Sequence, residues 1–392
     1  MSMEAPTVSS PPKRLAAVGL GAFLLLGLLY PILGPALPEL SEQFGLRATG
    51  ASLLLSCNSA GAVLGVVVAG SLSSRLASRW RAAFAVAVLA LGCLSLTFAS
   101  SFALTLLAAS LLGFGFGVLD LTLNVWLSTS YGERSAAMLN LLSASFGIGA
   151  VLAPLAVGFV GGNFRLPLLG CAALATLLLF LLLSMPQTEL PRAESGLWVP
   201  SQRPNAGPGA TTRPARFILG GFSLLFLAYV AVEGGVSAWE VTHLRDTLGI
   251  GTGAAAQLSA LFWVTFTLGR LISAPLALRL APARLITGAL ILAAASLALA
   301  VVPAAAPAAY TLTGLFLAPV FTTGLVWLTR VLPGGGAPTF VFAGAFLGPV
   351  LFSPVIGAMR DAFGPTAIPL TLLAITLVDL AVVIGLRHRL RA

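Results

Sequence analysis

Carboxyl groups are rare in the apolar parts of this chain, and two of them have a polar neighbour at helical spacing. Glu233 follows Tyr229 by four residues, and Asp120 precedes Asn124 by the same interval. Residues four apart lie on one face of an α-helix. A carboxyl group in apolar surroundings can take up and release a proton as its access to water changes. We therefore expect Glu233 to bind an ion whose movement is coupled to that of a ligand. Asp120 and Asn124 are expected to contact the ligand or that ion.

Both pairs also have a structural interpretation, which the residues alone leave open. Asp120 could instead be linked to a side chain of the next helix, such as Asn140 or Ser143. Glu233 could be held by hydrogen bonds beside a helix break at Gly234 and Gly235. Glycines tolerate unusual backbone conformations, so the same two residues are candidates for a gate at the end of their helix.

A ligand that combines hydroxyl groups with an apolar face needs aromatic rings and amide groups in its site. Trp263 lies near the middle of an apolar run, and Tyr30 precedes Pro31 in another. We expect Trp263 and Tyr229 to contact the ligand. Further polar candidates within apolar runs are Asn58, Asn140, Gln257, Thr322 and Thr323.

Other conspicuous side chains have simpler interpretations. Tryptophans near the ends of apolar runs are typical of the belt at a membrane interface, and they are Trp80, Trp126, Trp239 and Trp327. Glu240 follows Trp239 at the outer interface and is interpreted as a solvated residue there, with a gate or site residue as the alternative. Asp379 is expected to have a structural partner.

The elements that must position these residues are membrane-spanning helices. The 392 residues are 58% hydrophobic and only 8% charged, and an apolar run of about 20 residues crosses the hydrocarbon core as a helix. Twelve such spans are predicted, at Leu15–Leu37, Thr49–Leu72, Trp80–Ala99, Ala103–Leu127, Ser135–Val160, Phe164–Ser184, Phe217–Ala238, Gly253–Leu276, Leu285–Val302, Ala308–Arg330, Pro338–Met359 and Pro365–Leu386.

The net charge of +9 follows from the loops between the spans. With the N-terminus inside, only Arg47, Arg165, Arg245 and Arg360 fall outside, and the remaining 17 of the 21 Lys and Arg residues are cytoplasmic. This asymmetry predicts both termini in the cytoplasm and explains the charge without a nucleic-acid partner. Cys57, Cys93 and Cys171 lie inside spans, and their spacing favours packing over metal binding or disulfides.

The chain divides near its midpoint. Residues 185–215 are rich in Pro, Gly, Ser and Arg and are predicted to be a cytoplasmic linker between six-helix halves at 1–184 and 216–392. Two motifs recur half a chain apart. Arg75-Leu-Ala77 matches Arg279-Leu-Ala281, and the stretch from Phe146 to Pro154 matches that from Phe346 to Pro354. Such repeats indicate two parallel halves related by an axis along the membrane normal.

The segment after the second span carries a recognisable signature. Gly70-Ser-Leu-Ser-Ser-Arg75-Leu-Ala-Ser-Arg79-Trp-Arg81 resembles the G-x-L-x-D-R-x-G-R-[RK] motif of the major facilitator superfamily. The acidic position is Ser74 and the second glycine is Ser78, so the family's charge lock does not carry over. Arg75 and Arg79 are retained as candidate gating residues, as is Arg270. They can also bind helix C-terminal carbonyls or lipid headgroups.

A narrower resemblance begins in the fourth span. The run from Gly115 through Asp120 to Asn124, then Leu139-Asn140 and Phe146-Gly-Ile-Gly149, is similar to sugar-transporting branches of the superfamily. These are the fucose/galactose/glucose:proton symporters and the sodium-dependent glucose transporter-like proteins. Tyr229 to Trp239 and Gly269-Arg270-Leu271 look like the same branches. The resemblance implies an all-α fold of about 12 transmembrane helices in two pseudo-symmetric halves.

The resemblance also implies alternating-access transport of a small solute, a sugar, driven by a proton or sodium gradient. The competing interpretation is a drug or metabolite efflux antiporter, since Gly149 to Gly158 comes near that branch's helix-5 motif but has Ala153 and Val157 where glycines belong. We expect no enzymatic activity, no cofactor and no bound metal. The expected protein is a multi-pass monomer of the cytoplasmic membrane whose partners are its substrate, the ion and lipid.

Overall fold

The computed structural model describes residues 13–131, 134–185, 213–332, 341 and 344–390, and the described residues form helices without strands. Helices form because each satisfies its own backbone hydrogen bonds where no water is present. They are α1 (Lys13–Leu29), α2 (Leu33–Phe44), α3 (Ala48–Ser71), α4 (Ser78–Thr97), α5 (Phe102–Ser130), α6 (Ser135–Phe159), α7 (Arg165–Ser184), α8 (Arg213–Leu248), α9 (Thr252–Arg279), α10 (Pro282–Leu299), α11 (Ala306–Val331), α12 (Leu347–Phe363) and α13 (Ala367–Arg389).

The helices follow the order of the predicted spans. Ten described helices are long and apolar enough to cross a membrane, and α1 with α2 forms a further span that bends by 42°. The remaining helix, α12, has 17 residues, and the start of its predicted span lies outside the described residues. Each predicted span from the second onward therefore corresponds to the helix with the next higher number. The predicted linker lies mostly outside the described residues too.

The bend between α1 and α2 lies at Tyr30, Pro31 and Ile32. Proline has no backbone N–H, and its ring pushes the preceding residue away from helical geometry. The helix resumes when the Gly34 amide donates to the Pro31 carbonyl at 3.2 Å. The break leaves Tyr30 at mid-depth in the bundle, where its ring faces the other half of the molecule.

The two halves pack their helices in matching ways. In the N-terminal half (α1–α7), α3 packs on α5 and α1 on α6; in the C-terminal half (α8–α13), α9 packs on α11 and α8 on α12. Small residues permit these approaches, as expected between membrane helices. A methyl group at Gly113 would overlap the Asn58 carbonyl, and one at Gly314 would overlap the Phe262 carbonyl. The same helix pairing thus recurs in both halves, in agreement with the two related halves that the repeated sequence motifs predicted.

Helix α8 differs most from its predicted span. It runs unbroken through Gly234 and Gly235 and continues ten residues past Ala238, the predicted end, to Leu248. It ends at Gly249, whose φ of 65° is accessible mainly to glycine. The predicted break is therefore wrong: Gly234 packs against Pro349, and Gly235 packs against Leu372.

The extension of α8 also changes the environment of its tryptophan. Trp239 is 1% exposed and lies inside the bundle, so its interpretation as an interfacial residue is wrong. Trp126 and Trp327 are likewise buried, whereas Trp80 is 44% exposed. The helices that carry these side chains bury one face against their neighbours, so a position near a span end does not imply contact with lipid.

The two ends of the bundle differ in charge. Arg47, Arg165, Arg245 and Arg360 lie at one end, here called the arginine-poor end, and the opposite end is called the arginine-rich end. All six ion pairs formed within the described part of the chain lie at the arginine-poor end. Asp361 on α12 accepts hydrogen bonds from the Ala48 and Thr49 amides at 3.0 and 2.8 Å and therefore caps α3 in the other half.

Candidate functional site

A cavity lies between the two halves at mid-depth, with a volume of about 60 Å³. The N-terminal half contributes Tyr30, Asn58, Ser59 and Phe116 to its wall; the C-terminal half contributes Gly234, Ser237, Phe346 and Ser353. This volume holds a few waters. A larger polar ligand therefore needs the halves to move apart, which a site between two bodies allows.

Aromatic rings from both halves meet beside this cavity. The Tyr30 ring centroid lies 5.9 Å from that of Phe116, 5.8 Å from that of Phe146 and 5.6 Å from that of Trp263. Phe116 in turn contacts Phe346 across the interface at 6.4 Å. Aromatic faces bind the C–H faces of sugar rings and other apolar surfaces while leaving hydroxyl groups to polar partners. The cluster is thus suited to a flat ligand of mixed polarity.

Glu233 is an acidic group close to this cluster, since its charge acts on Tyr30. It is 8% exposed and lies close enough to Arg270 on α9 for electrostatic attraction. The Tyr229 hydroxyl lies beside the Glu233 carboxyl group, but no described residue meets it with the geometry of a formed hydrogen bond. Tyr30 belongs to the same electrostatic group, since both Glu233 and Arg270 act on it.

Arg270 lies inside the bundle, so its predicted place among the cytoplasmic arginines is wrong. Its guanidinium group sits over the Phe266 ring, 4.6 Å from the ring centroid, and its buried Nε atom has no hydrogen-bond partner among the described residues. A guanidinium group remains charged, so it favours the ionised form of a nearby carboxyl group. Glu233 can therefore carry a proton, and the neighbouring Arg270 can donate a hydrogen bond to a ligand hydroxyl group.

Asn58 connects the cavity to the N-terminal half. Its side-chain amide donates to the Ala109 carbonyl at 3.0 Å, which fixes the side chain on α3 while the residue lines the cavity. Ser59, Ser237 and Ser353 supply further hydroxyl groups at the wall. These serines could not be singled out from the sequence, because serines are common in membrane helices and only the packing of the halves brings them together.

The Asp120–Asn124 pair lies elsewhere. The Asn124 amide donates to the Asp120 carboxylate at 3.0 Å and to the Asp120 carbonyl at 2.9 Å, so the two residues pair within α5. Neither lines the cavity. The alternative link to Asn140 or Ser143 is not formed either, since the hydrogen bond that the Asp120 side chain forms among the described residues is with Asn124. The structure gives these residues no contact with the cluster around Glu233.

Gln257 is also outside the cavity. It is exposed on α9 and packs against Gly158 of α6, near the arginine-poor end. Arg75 is exposed at the arginine-rich end. The Arg79 guanidinium donates to the Leu183 carbonyl of α7 at 2.7 Å, which is the helix C-terminal contact given as the alternative to gating. The gating candidates at this end therefore show contacts within the N-terminal half.

Two carboxyl groups have surroundings that the sequence did not predict. Glu240 is 1% exposed, so its interpretation as a solvated residue is wrong, because α8 continues past it. Asp379 on α13 is 1% exposed. Neither Asp379 carboxyl oxygen has a hydrogen-bond partner among the described residues, in contrast to the expected structural partner.

A bundle of membrane helices whose two halves enclose a central cavity, with charged groups at mid-depth, is the architecture of a secondary transporter. The chain belongs to the Major Facilitator Superfamily, whose family model matches residues 19–333. The expectations of a 12-helix major facilitator fold and of a transporter rather than an enzyme are thereby confirmed.

Several proteins that are similar to this chain are named as sugar transporters. Sodium-dependent glucose transporter 1A of Mus musculus is 24% identical over 386 residues, or 87% of this chain and 88% of that protein. The arabinose-proton symporter of Escherichia coli (strain K12) is 30% identical over 179 residues, or 45% of this chain and 38% of that protein. The crystal structure of a D-xylose-proton symporter shares the fold, with a TM-score of 0.74 over 94% of this chain and 97% of that one at 16% identity.

Proposed function

We propose that this protein is a sugar symporter that couples uptake to the proton gradient by alternating access. The observation that carries the proposal is the position of Glu233, buried between Arg270 and Tyr229 and next to an aromatic cluster built from both halves. A sugar bound against Tyr30 and Trp263 would change the surroundings of Glu233 directly. Relatives that carry glucose, arabinose and xylose support the choice of substrate class.

A proton is the simpler coupling ion for this site. One carboxyl group is sufficient to carry a proton, and the electrostatic partner of Glu233 is a cation, Arg270. A sodium ion prefers several oxygen ligands and is disfavoured beside a guanidinium group. Sodium is the alternative ion and needs its own test, because one relative is named for sodium dependence.

We further propose a cytoplasmic-membrane location with both termini in the cytoplasm, as the distribution of arginines favours. The arginine-poor end is then extracellular, and the linker at 185–215 joins the N-terminal and C-terminal halves on the cytoplasmic side. The protein would act as a monomer, since the cavity is formed by the two halves of one chain. Because the halves are joined by ion pairs at the proposed extracellular end, the structure corresponds to a state closed toward the outside.

The test of the coupling role is Glu233→Gln in proteoliposomes. The amide keeps the shape of the side chain but holds no exchangeable charge. We expect the variant to exchange labelled for unlabelled sugar across the membrane while losing accumulation driven by an imposed pH gradient. Glu39→Gln makes the same chemical change at a partly exposed site within the N-terminal half, and we expect it to behave like the wild type.

Full accumulation by Glu233→Gln, with an unchanged response to the pH gradient, would remove Glu233 from the coupling mechanism. Equal loss of exchange and of accumulation would assign it to sugar binding or folding instead.

A further inference from the structure

A second buried polar cluster lies on α8, between the central cavity and the arginine-poor end. It consists of Glu240 and His243 on α8 and Tyr310 on α11, which are at most 1% exposed. The Tyr310 hydroxyl and His243 Nδ1 are 3.0 Å apart and hydrogen-bonded, and their rings meet edge to face with centroids 5.7 Å apart. Tyr310 also lies within electrostatic range of Glu240. The three side chains therefore form one group of titratable atoms.

This cluster leaves polar atoms unpaired in the interior. One Glu240 carboxyl oxygen (Oε1) and His243 Nε2 are buried without hydrogen-bond partners among the described residues. Native structures pair the great majority of such atoms, and an ionised carboxylate without a partner is costly in the membrane. No positive side chain among the described residues forms an ion pair with Glu240. Glu233, by contrast, has Arg270 close by.

The cluster lies on a line that joins the surface to Glu233. Glu240 follows Glu233 by seven residues, which places the two on nearly the same face of α8 and about 10 Å apart along its axis. Ser237 lies between them on that face and lines the cavity. Toward the arginine-poor end, Asp246 follows His243 by three residues and acts on it electrostatically. Ionisable and hydroxyl groups thus succeed one another from Asp246 to Glu233.

Other charged groups near this part of α8 are already paired. Glu42 of α2 contacts Arg245 at 2.6 Å, and Arg360 of α12 contacts Asp246 at 2.6 Å. Asp361 of α12 caps α3. Of the groups on α11, Tyr310 is the one that faces both Glu240 and His243. Asp379 of α13 has no partner in the described part of the chain, so it offers a comparison for Glu240.

We propose that Glu240, His243 and Tyr310 form a second proton-binding site, through which protons pass between the arginine-poor surface and Glu233. The inference rests on the proposed proton coupling and extends it. A proton from the arginine-poor surface is taken up by His243 beside Asp246, passes through the Tyr310 hydroxyl to the Glu240 carboxyl group, and leaves through the Ser237 hydroxyl and cavity water toward Glu233. Each step breaks one O–H or N–H bond and forms another, so no further reactant is needed.

The direct test is infrared difference spectroscopy of the purified protein during a pH change. The carbonyl stretch of a protonated carboxyl group reports each buried acid that titrates. We expect Glu240→Gln to lose one titrating signal that the wild type shows. Asp379→Asn makes the same kind of change in an unpartnered acid outside this line, and we expect that signal to remain. An unchanged difference spectrum in Glu240→Gln would overturn the proposal.

Transport gives an independent readout and separates this proposal from the proposed function. We expect Glu240→Gln to keep sugar exchange and to lose accumulation driven by a pH gradient. Tyr310→Phe keeps the ring packing and removes the hydroxyl group, so it tests the relay if Glu240→Gln does not fold; the same loss is expected. Equal loss of exchange and accumulation in both variants would indicate a structural role and contradict the proposal.

Failure of the wild type to accumulate any sugar would instead count against the proposed function, while the infrared result would still decide whether the second site exists.

Discussion

The two ends of the bundle hold their helices together by different contacts. At the arginine-poor end, Arg245 on α8 pairs with Glu42 on α2 at 2.6 Å, and Asp361 on α12 binds the first turn of α3. Arg47 adds a looser contact with Asp361 at 3.9 Å. These contacts join the N-terminal half to the C-terminal half. Gly158 packs against Gly253 at this end, and further inward Gly34 packs against Ser237, so the interface continues toward the cavity.

The polar contacts that the described arginines form at the arginine-rich end stay within each half. Arg79 donates to the Leu183 carbonyl and Arg81 to the Ala69 carbonyl, and both bonds lie within the N-terminal half. Arg389 lies over the Phe217 ring in the C-terminal half, 4.4 Å from its centroid. Ser74 stands where the superfamily signature has an acidic residue, so that position provides no carboxylate for an ion pair.

The difference shows how this sequence favours one state. Charged contacts between the halves are concentrated at the proposed extracellular end, where they hold the transporter closed to the outside. Opening to the outside must break those contacts, and the described residues at the other end provide no ion pairs to compensate. The balance between the two states can therefore be shifted by changes at the arginine-poor end.

The largest effect is expected from linking the two halves covalently at that end. Glu42→Cys with Arg245→Cys, in a Cys57→Ser background, places one thiol on each half where the ion pair was. A short bifunctional thiol reagent with a reducible link should abolish sugar uptake, because the protein can no longer open to the outside, and reduction should restore it. Cys93 and Cys171 are buried, which limits their reaction.

Each single-cysteine variant, treated with the same reagent, controls for the loss of the ion pair itself. Uptake that persists in fully cross-linked protein would show that this end does not need to separate, and it would contradict the alternating-access account.

A smaller effect is expected from Asp361→Ala. The variant loses the hydrogen bonds to the α3 amides and the Thr49 hydroxyl. We expect the closed state to lose about 1 to 2 kcal/mol, a roughly 5- to 30-fold shift in population. The measurement is the labelling rate of Ser59→Cys at the cavity wall by an impermeant thiol reagent added outside, in the Cys57→Ser background.

Asp246→Ala is the matched control for that prediction, since its contact with Arg360 joins α8 to α12 within the C-terminal half. Labelling should rise much more in Asp361→Ala than in Asp246→Ala. Equal rates in the two variants would mean that the contact between the halves does not set the balance.

The smallest effect is expected from Glu42→Gln. The Glu42 side chain is 67% exposed, and exposed ion pairs contribute about 0 to 1 kcal/mol because water and salt screen them. Labelling of Ser59→Cys should therefore rise less than about fivefold, and high salt should remove the difference. Glu39→Gln breaks a contact with Arg165 inside the N-terminal half and should leave labelling unchanged. A larger effect from Glu39→Gln would contradict the comparison.

Much of the fold could be predicted from the sequence, because hydrophobic length and arginine placement are strong local signals. The order of the helices followed from these signals, and the repeated motifs predicted two related halves, whereas the pairing of α3 with α5 and α9 with α11 is seen only in the structure. The end of α8 could not be predicted in this way. Its last turns carry Glu240, His243, Arg245 and Asp246, which resemble a loop in a hydropathy pattern but lie against other helices in the bundle.

The candidate site was less predictable than the fold. Glu233, Tyr229, Trp263 and Asn58 were chosen as polar or aromatic residues in apolar spans, and the structure places them in or beside the cavity region. The same reasoning chose Asp120, Asn124, Asn140 and Gln257, which lie outside the cavity. Residue type and spacing show which side chains share a helix face. They do not show which neighbour that face meets.

The most direct test of the central claim is sugar uptake by the wild-type protein in proteoliposomes. A panel of labelled hexoses and pentoses would be offered under an inward proton gradient, an inward sodium gradient, or neither. We predict that at least one sugar accumulates under the proton gradient and that a protonophore abolishes the accumulation. Failure of every sugar to move or compete would contradict the proposed substrate class, and accumulation driven by sodium alone would contradict the proposed coupling through Glu233.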